Sequence, residues 1–385
     1  MDLAGLEALL TPQGQALLDE LAQEDLSPGR ELALNDRLRK RYPPELVVVS
    51  LELAQLRLRA RSKFSRADEM FLTREGLEQS SSELVARHRA RRYEPYRPVA
   101  DLCCGIGGDL TALASNRPIL AVDRDPLHAR IAELNARVYG AVQVEVRCED
   151  VTETSLQGVE AVFVDPARRR GGRRELRPDE SSPPLSWCLA LSERVGPVGI
   201  KAAPGITREL APPGWELEFI SVGGDLKEAA LWSPALATTA RRATLLPEGH
   251  TLLPSPGPEV ECRAPGDYLL DPDPAVTRAG LVEELARSLG AWKLDPEIAF
   301  LSTEAYVRTP FARTLRIEES LPWGLKPLRA ALRRLDVGSV DIRKRGSPVD
   351  VEDLRPRLKL SGSRAATVVL TRLLGKPWAL VCVAP

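Results

Sequence analysis

Between Val99 and Ala202 the chain alternates short apolar runs with stretches of helical spacing. The runs are Val99-Ala100-Asp101-Leu102, Ile119-Leu120-Ala121-Val122-Asp123, Val142 to Val146, Ala161-Val162-Phe163-Val164-Asp165 and Val198-Gly199-Ile200. Strands separated by helices pair in parallel, because each helix carries the chain back across a face of the sheet. The pattern therefore predicts an α/β fold, a doubly wound, mostly parallel sheet of Rossmann-like type. Leu217 to Val222 and Glu228 to Trp232, separated by Gly223-Gly224-Asp225, predict a hairpin that closes this sheet.

The flanks read differently. Thr11-Pro12 is an N-cap followed by proline at the first helical position, and Leu17, Leu18 and Leu21 continue with helical spacing. Further helices are expected over about 30–41 and 44–60, so residues 1–92 form a helical region. Pro254-Ser255-Pro256-Gly257-Pro258 reads as a linker after a catalytic domain at 93–253. Beyond it, Thr277 to Leu289 and Leu325 to Leu335 predict helices, and Val340 to Lys344, Ala366 to Leu370 and Trp378 to Val383 predict strands. These give an α+β domain over 259–385.

Composition removes several chemistries. The six cysteines form no C-x-x-C pair, and His88, His128 and His250 lie in unrelated contexts, so neither a metal site nor a disulfide framework is expected. No apolar run reaches the roughly 18 residues of a membrane span, and Met1-Asp2-Leu3-Ala4-Gly5 lacks a signal-peptide start; a cytoplasmic location without membrane contact is expected. The 53 basic and 54 acidic residues nearly cancel. Local basic excess is nonetheless present. Arg30 to Arg66 holds ten basic residues against four acidic, Arg329 to Arg364 ten against five, and Arg168 to Arg177 six against one. Neutral overall charge with such patches suits selective contact with RNA.

The chemistry concentrates in Asp101-Leu102-Cys103-Cys104-Gly105-Ile106-Gly107-Gly108-Asp109, a glycine-rich turn after the first strand. Asp101 would repel a pyrophosphate, and Leu110 stands where G-x-G-x-x-G has its third glycine, which disfavours a nicotinamide or flavin dinucleotide. S-adenosylmethionine carries an ammonium and a sulfonium and no phosphate, so a carboxylate beside the loop becomes attractive. Asp123, ending the second strand, is placed to accept from ribose hydroxyls, and Asp150, after the third, from an adenine amino group.

With these residues the chain resembles the class I S-adenosylmethionine-dependent methyltransferases. Asp101-x-Cys103-x-Gly105-x-Gly107 is similar to their first motif, with cysteine in place of its first glycine. Phe64-Ser65-Arg66-Ala67-Asp68, Arg74-Glu75-Gly76, Asp125-Pro126 and Asn135-Ala136 through Tyr139-Gly140 resemble trimethylguanosine synthase-like RNA methyltransferases. Tyr268-Leu269 through Asp273-Pro274, Thr309 to Arg313 and Arg343 to Gly346 resemble a THUMP-like domain, which implies RNA binding.

The resemblance makes Asp165-Pro166-Ala167-Arg168 the fourth motif, beside the transferable methyl. Amine-methylating relatives carry a second proline and an aromatic where this chain has Ala167 and Arg168. Pyrimidine carbon-5 methyltransferases need a cysteine after the fifth strand, where this chain reads Ile200-Lys201-Ala202-Ala203-Pro204-Gly205. Direct methylation of a nitrogen or oxygen remains, with Asp165 as proton acceptor and Arg168 as a planar face for a base. The expected function is methylation of a base nitrogen in tRNA or rRNA, with Asp165, Pro166 and Arg168 catalytic and Asp101, Cys103, Gly105, Gly107, Asp123 and Asp150 binding the cofactor. A small-molecule methyltransferase and a noncatalytic RNA-binding protein are the two other classes left open.

Overall fold

The computed structural model describes residues 1–27, 29–167, 169–170, 173–174 and 181–385. Close packing divides them into two units. One comprises Met1–Ile206, Pro212–Trp215 and Ala230–Thr238; the other comprises Thr207–Ala211, Glu216–Ala229 and Thr239–Pro385.

The first unit opens with six helices: α1 (Leu3–Leu10), α2 (Pro12–Leu21), α3 (Glu31–Leu38), α4 (Pro44–Ala60), α5 (Arg74–Gln79) and α6 (Glu83–Ala90). Thr11 caps α2 as its sequence predicts, its hydroxyl oxygen accepting from the Gly14 N–H at 3.1 Å. Leu6, Leu9, Leu17, Leu53, Phe64 and Met70 form one core with Ile106 and Ile131, so these helices pack directly on the glycine-rich turn.

The parallel strands follow: β1 (Val99–Leu102), β2 (Ile119–Asp123), β3 (Val144–Cys148) and β4 (Ala161–Val164), with α7 (Leu110–Leu113) and α8 (Pro126–Val138) between them. After β4 come a two-strand ribbon, β5 (Arg169–Arg170) and β6 (Arg173–Arg174), then α9 (Leu185–Arg194) and β7 (Val198–Ala202). Next are β8 (Glu216–Val222), β9 (Asp225–Trp232), β10 (Arg241–Leu246) and β11 (His250–Leu252). The large sheet is ordered β11-β10-β8-β9-β7-β4-β1-β2-β3. Ranking its first seven strands by position in the chain, and omitting the ribbon, the order from β3 inward is 3-2-1-4-5-7-6. The unit division falls within β9.

The expected hairpin does not close the sheet. β10 pairs with β8 in parallel, and β11 adds a further antiparallel strand. Side chains as well as backbone join β10 to β8. Glu216 and Glu218, both fully buried, accept from Arg242 Nε at 2.8 Å and Thr244 Oγ1 at 2.5 Å on the neighbouring strand.

The second unit continues with β12 (Tyr268–Pro272), α10 (Pro274–Ala279), α11 (Val282–Leu289), β13 (Trp292–Lys293), β14 (Leu301–Thr303) and β15 (Ala312–Pro322). It ends with α12 (Leu325–Arg334), β16 (Val337–Lys344), α13 (Val351–Arg357), β17 (Arg364–Leu373) and β18 (Lys376–Val383). The helix expected over 277–289 is two helices, because Gly280 turns left-handed at φ 67° and ends α10 with its N–H on the Thr277 carbonyl. The smaller sheet is ordered β13-β14-β12-β15-β18-β17-β16, antiparallel apart from β16 with β17. Both its faces are covered. Val368, Leu370, Ala379 and Val381 join one core, while Val369, Leu380 and Cys382 join the other, which explains the unbroken apolar runs of β17 and β18. Among the described residues no helix is long and apolar enough to cross a membrane.

Candidate active site

Strand register builds the site. Leu102 pairs with Val122 and with Val164, and Val164 pairs with Ile200. The residues that follow, Cys103, Asp123, Asp165 and Lys201, therefore stand in one row across the carboxyl ends of β1, β2, β4 and β7. Ligands of doubly wound sheets bind at this edge.

The turn after β1 is shaped by backbone conformation. Cys103, Gly105 and Gly107 all take positive φ, at 60°, 53° and 84°. Cysteine thus adopts the conformation that a glycine would supply, at some conformational cost. A Cβ on Gly107 would come within 3.2 Å of the Ala132 Cα on α8, whereas one on Gly105 would meet nothing within 4 Å, so that side of the turn is open. The Gly105 N–H donates to Asp123 Oδ2 at 2.8 Å, and the Asp125 N–H to Asp123 Oδ1 at 2.9 Å.

Asp101 lies two residues deeper than Cys103 and is completely buried, and neither carboxyl oxygen has a hydrogen-bond partner. Burial, and then the nearby Asp109 and Asp165, push its carboxyl well above the usual carboxylate range, against the pull of Arg89 and Lys201. An unsatisfied buried polar group is costly, on the order of 1–3 kcal/mol, and a donor brought to Asp101 would relieve that cost. Asp150 is different. It is exposed beyond β3, and Thr152 donates to its Oδ1 through both N–H and hydroxyl, which holds its carboxyl below the usual range.

At the fourth motif Asp165 Oδ2 lies 2.5 Å from Lys201 Nζ. The lysine side chain is 3% exposed and that of Asp165 24%. Lys201 also donates to the Gln79 carbonyl of α5 at 3.3 Å. Pro166 is buried, and Ala167 exchanges backbone hydrogen bonds with Ser182 at 2.9 and 3.0 Å, closing the arginine-rich loop at its base. Arg168 lies outside the described residues.

Sequence reasoning missed Lys201. It had a signal: lysine is scarce in this arginine-rich chain, and Lys201 closes an apolar strand in which an unpaired charge would be untenable. Two partner networks were also unforeseen. Lys63 Nζ donates to the Leu77 and Ser80 carbonyls at 2.6 and 3.0 Å, holding the end of α5 beside that made by Lys201. Asn135 accepts from the Phe71 N–H and donates to the Phe71 and Ile106 carbonyls, tying α8 and the glycine-rich turn to the N-terminal segment. Deeper still, Arg89 pairs with Asp109, donates to Ser81 Oγ at 2.7 Å and lies 4.9 Å over the Phe163 ring.

The unpartnered carboxylate at Asp101, the open face of Gly105 and the strand-end carboxylates fit a cationic cofactor with no phosphate. Comparison with known proteins agrees. The chain is 36% identical over 336 residues to an uncharacterized S-adenosylmethionine-dependent methyltransferase of Mycobacterium tuberculosis, found in strains CDC 1551 / Oshkosh and ATCC 25618 / H37Rv. The match covers 84% of this chain and 92% of the relative. The chain belongs to the S-adenosylmethionine-dependent methyltransferases, and its cofactor is S-adenosylmethionine. A crystal structure of a candidate methyltransferase from Porphyromonas gingivalis W83 shares the fold with TM-score 0.76 at 23% identity, covering 99% of this chain and 98% of that one. Residues 312–384 match the THUMP domain-like family, and residues 2–60 match a domain of unknown function.

Proposed function

We propose that this methyltransferase acts on a nitrogen of a base in RNA, tRNA or rRNA, in the manner of the trimethylguanosine synthase-like enzymes that its motifs resemble. The observation that carries the reading is the Asp165 carboxylate, fixed at 2.5 Å by the buried Lys201 in the same row as Cys103 and Asp123. The THUMP domain-like match supports RNA over a small metabolite.

When bound, S-adenosylmethionine supplies a methyl group on a positively charged sulfur. Asp101 faces its ammonium, Asp123 accepts from its ribose hydroxyls, and Asp150 accepts from its adenine amino group. Cys103, Gly105 and Gly107 shape the turn around it. Asp165 Oδ2 is engaged by Lys201, which leaves Oδ1 to accept the proton of the attacking nitrogen, while Pro166 stiffens the backbone and Arg168 offers a face for the base. Catalysis on this plan is chiefly positioning, assisted by one proton acceptor.

Nucleoside mass spectrometry of RNA from a deletion strain tests the substrate class. One methylated nucleoside is expected to disappear and to return with the wild-type gene. Unchanged RNA nucleosides, with methyl incorporation into a metabolite extract instead, would replace the RNA reading by a small-molecule one.

Asp101→Asn tests the cofactor assignment. A carboxyl raised in the folded protein keeps a proton that the unfolded chain releases, so its contribution to stability declines as pH rises above the ordinary carboxylate range. At neutral pH the substitution is expected to stabilise the ligand-free protein by on the order of 1 kcal/mol, or roughly 2–4 °C in Tm. It should also weaken S-adenosylmethionine binding. Scanning and titration calorimetry measure the two effects; unchanged cofactor affinity would remove Asp101 from the ammonium site.

A further inference from the structure

Three segments singled out in the sequence, Tyr268 to Pro274, Thr309 to Arg313 and Arg343 to Gly346, meet at one cavity of about 850 Å³. All its lining residues belong to the second unit. The volume lies within the range of small-ligand sites.

Its cationic wall is built on Asp271. This carboxylate, 8% exposed, accepts from Arg343 Nη1 at 2.9 Å and from Arg345 Nη2 at 3.0 Å. Arg345 is further fixed by Thr277 Oγ1, by the Pro272 carbonyl and by the Phe300 ring 5.3 Å beneath it. Arg343 Nε also donates to Asp341 Oδ2 at 3.1 Å, so Asp271 and Asp341 together balance these two guanidiniums. The positive surplus of this wall comes from Arg308 and Arg313, two exposed guanidiniums, of which Arg313 lies 3.8 Å from the Asp341 carboxylate already held by Arg343. Three further acidic residues line the same cavity. Asp273 caps α10 through the Ala275 N–H at 2.8 Å, Asp225 opens β9 with one oxygen 3.2 Å from Lys227 Nζ, and Glu248 stands on the turn after β10.

Of the basic excess counted between Arg329 and Arg364, Arg343 and Arg345 line this cavity, and other members are placed away from it. Arg334 pairs with Glu319, Arg355 donates to the Val340 carbonyl and Lys344 to that of Val349.

We propose that this cavity holds a nucleotide of single-stranded RNA, with its phosphates on Arg308, Arg313 and Arg343 and its amino or hydroxyl donors toward Asp225 and Glu248. The proposal rests on the RNA reading above and adds to it the place of contact. A cavity with both signs of charge suits a nucleotide better than a simple polyanion, because the carboxylates would repel the latter.

The test uses the full chain without cofactor and a short single-stranded RNA oligonucleotide, with heparin as a polyanion probe. Arg308→Ala combined with Arg313→Ala should weaken RNA binding about tenfold and make the slope of log affinity against log salt shallower by about 1.4, or 0.7 per phosphate contact. Both side chains are exposed, so folding should be retained, and S-adenosylmethionine affinity should stay unchanged. Arg333→Ala with Arg357→Ala removes equal charge outside the cavity and should leave RNA affinity nearly as it was. Asp225→Asn with Glu248→Gln should lower RNA affinity while raising that for heparin.

Full RNA affinity in the Arg308 and Arg313 variant, or an equal loss in the Arg333 and Arg357 variant, would overturn the cavity assignment and leave the RNA reading standing. A rise in RNA affinity without the two carboxylates would overturn it as well. A wild-type chain that binds no RNA at low salt, yet methylates a metabolite extract, would overturn the RNA reading and the cavity with it.

Discussion

Asp165→Ala is expected to slow single-turnover methyl transfer by about 10²–10⁴-fold, the usual worth of a positioned proton acceptor. Cofactor affinity should change little, because the proposed task of Asp165 concerns the nucleophile. The substitution also leaves Lys201 buried without its carboxylate, its Gln79 carbonyl contact remaining. Some loss of stability should therefore accompany the loss of rate, and Asp165→Asn provides a control that keeps a polar partner. Single-turnover kinetics with saturating cofactor, beside calorimetric binding, separate these effects. Near-normal turnover in Asp165→Ala would leave positioning as the whole of catalysis and remove the carboxylate from the mechanism.

The second large effect concerns the interior below the site. Arg89→Met is expected to destabilise the protein by about 3–5 kcal/mol, because it strands the Asp109 carboxylate in a site built for an ion pair. Arg89 and Asp109 are 1% and 7% exposed, so water cannot take over the lost partner without opening the fold. The same change removes a positive neighbour of Asp101 and should raise the Asp101 carboxyl further. Denaturant unfolding measures the first effect. A double replacement, Arg89→Met with Asp109→Leu, should recover much of the loss, since two apolar groups tolerate burial better than one unpaired charge. A single variant as stable as wild type would show that the pair contributes little.

The site and the fold differ in how far they were legible in the chain. Asp101, Asp123 and Asp165 could be named because each ends or nearly ends an apolar run, and parallel strands carry such residues to one edge by their register alone. Asn135 and Tyr139 could be quoted from a resemblance, but their tasks could not: Asn135 joins Phe71 to Ile106 across 64 and 29 residues of chain. Tyr139 donates to Glu83 from 56 residues away. The split at Gly280 was missed because helical periodicity runs through it, and only the left-handed turn interrupts the hydrogen bonding.

Local pattern by itself determined the parallel core of the large sheet, the helical N-terminal region, the glycine-rich turn and the strand-end carboxylates, because periodicity and turn chemistry act over a few neighbouring residues. Tertiary structure alone decided the continuation of the sheet through β10, the pairing of Lys201 with Asp165 and the meeting of two arginine-bearing segments with the one that carries Asp271. These are interactions of buried polar groups with partners distant in sequence. A charged residue in the chain looks the same whether water or a buried counter-ion will solvate it, and only the folded chain supplies the partner.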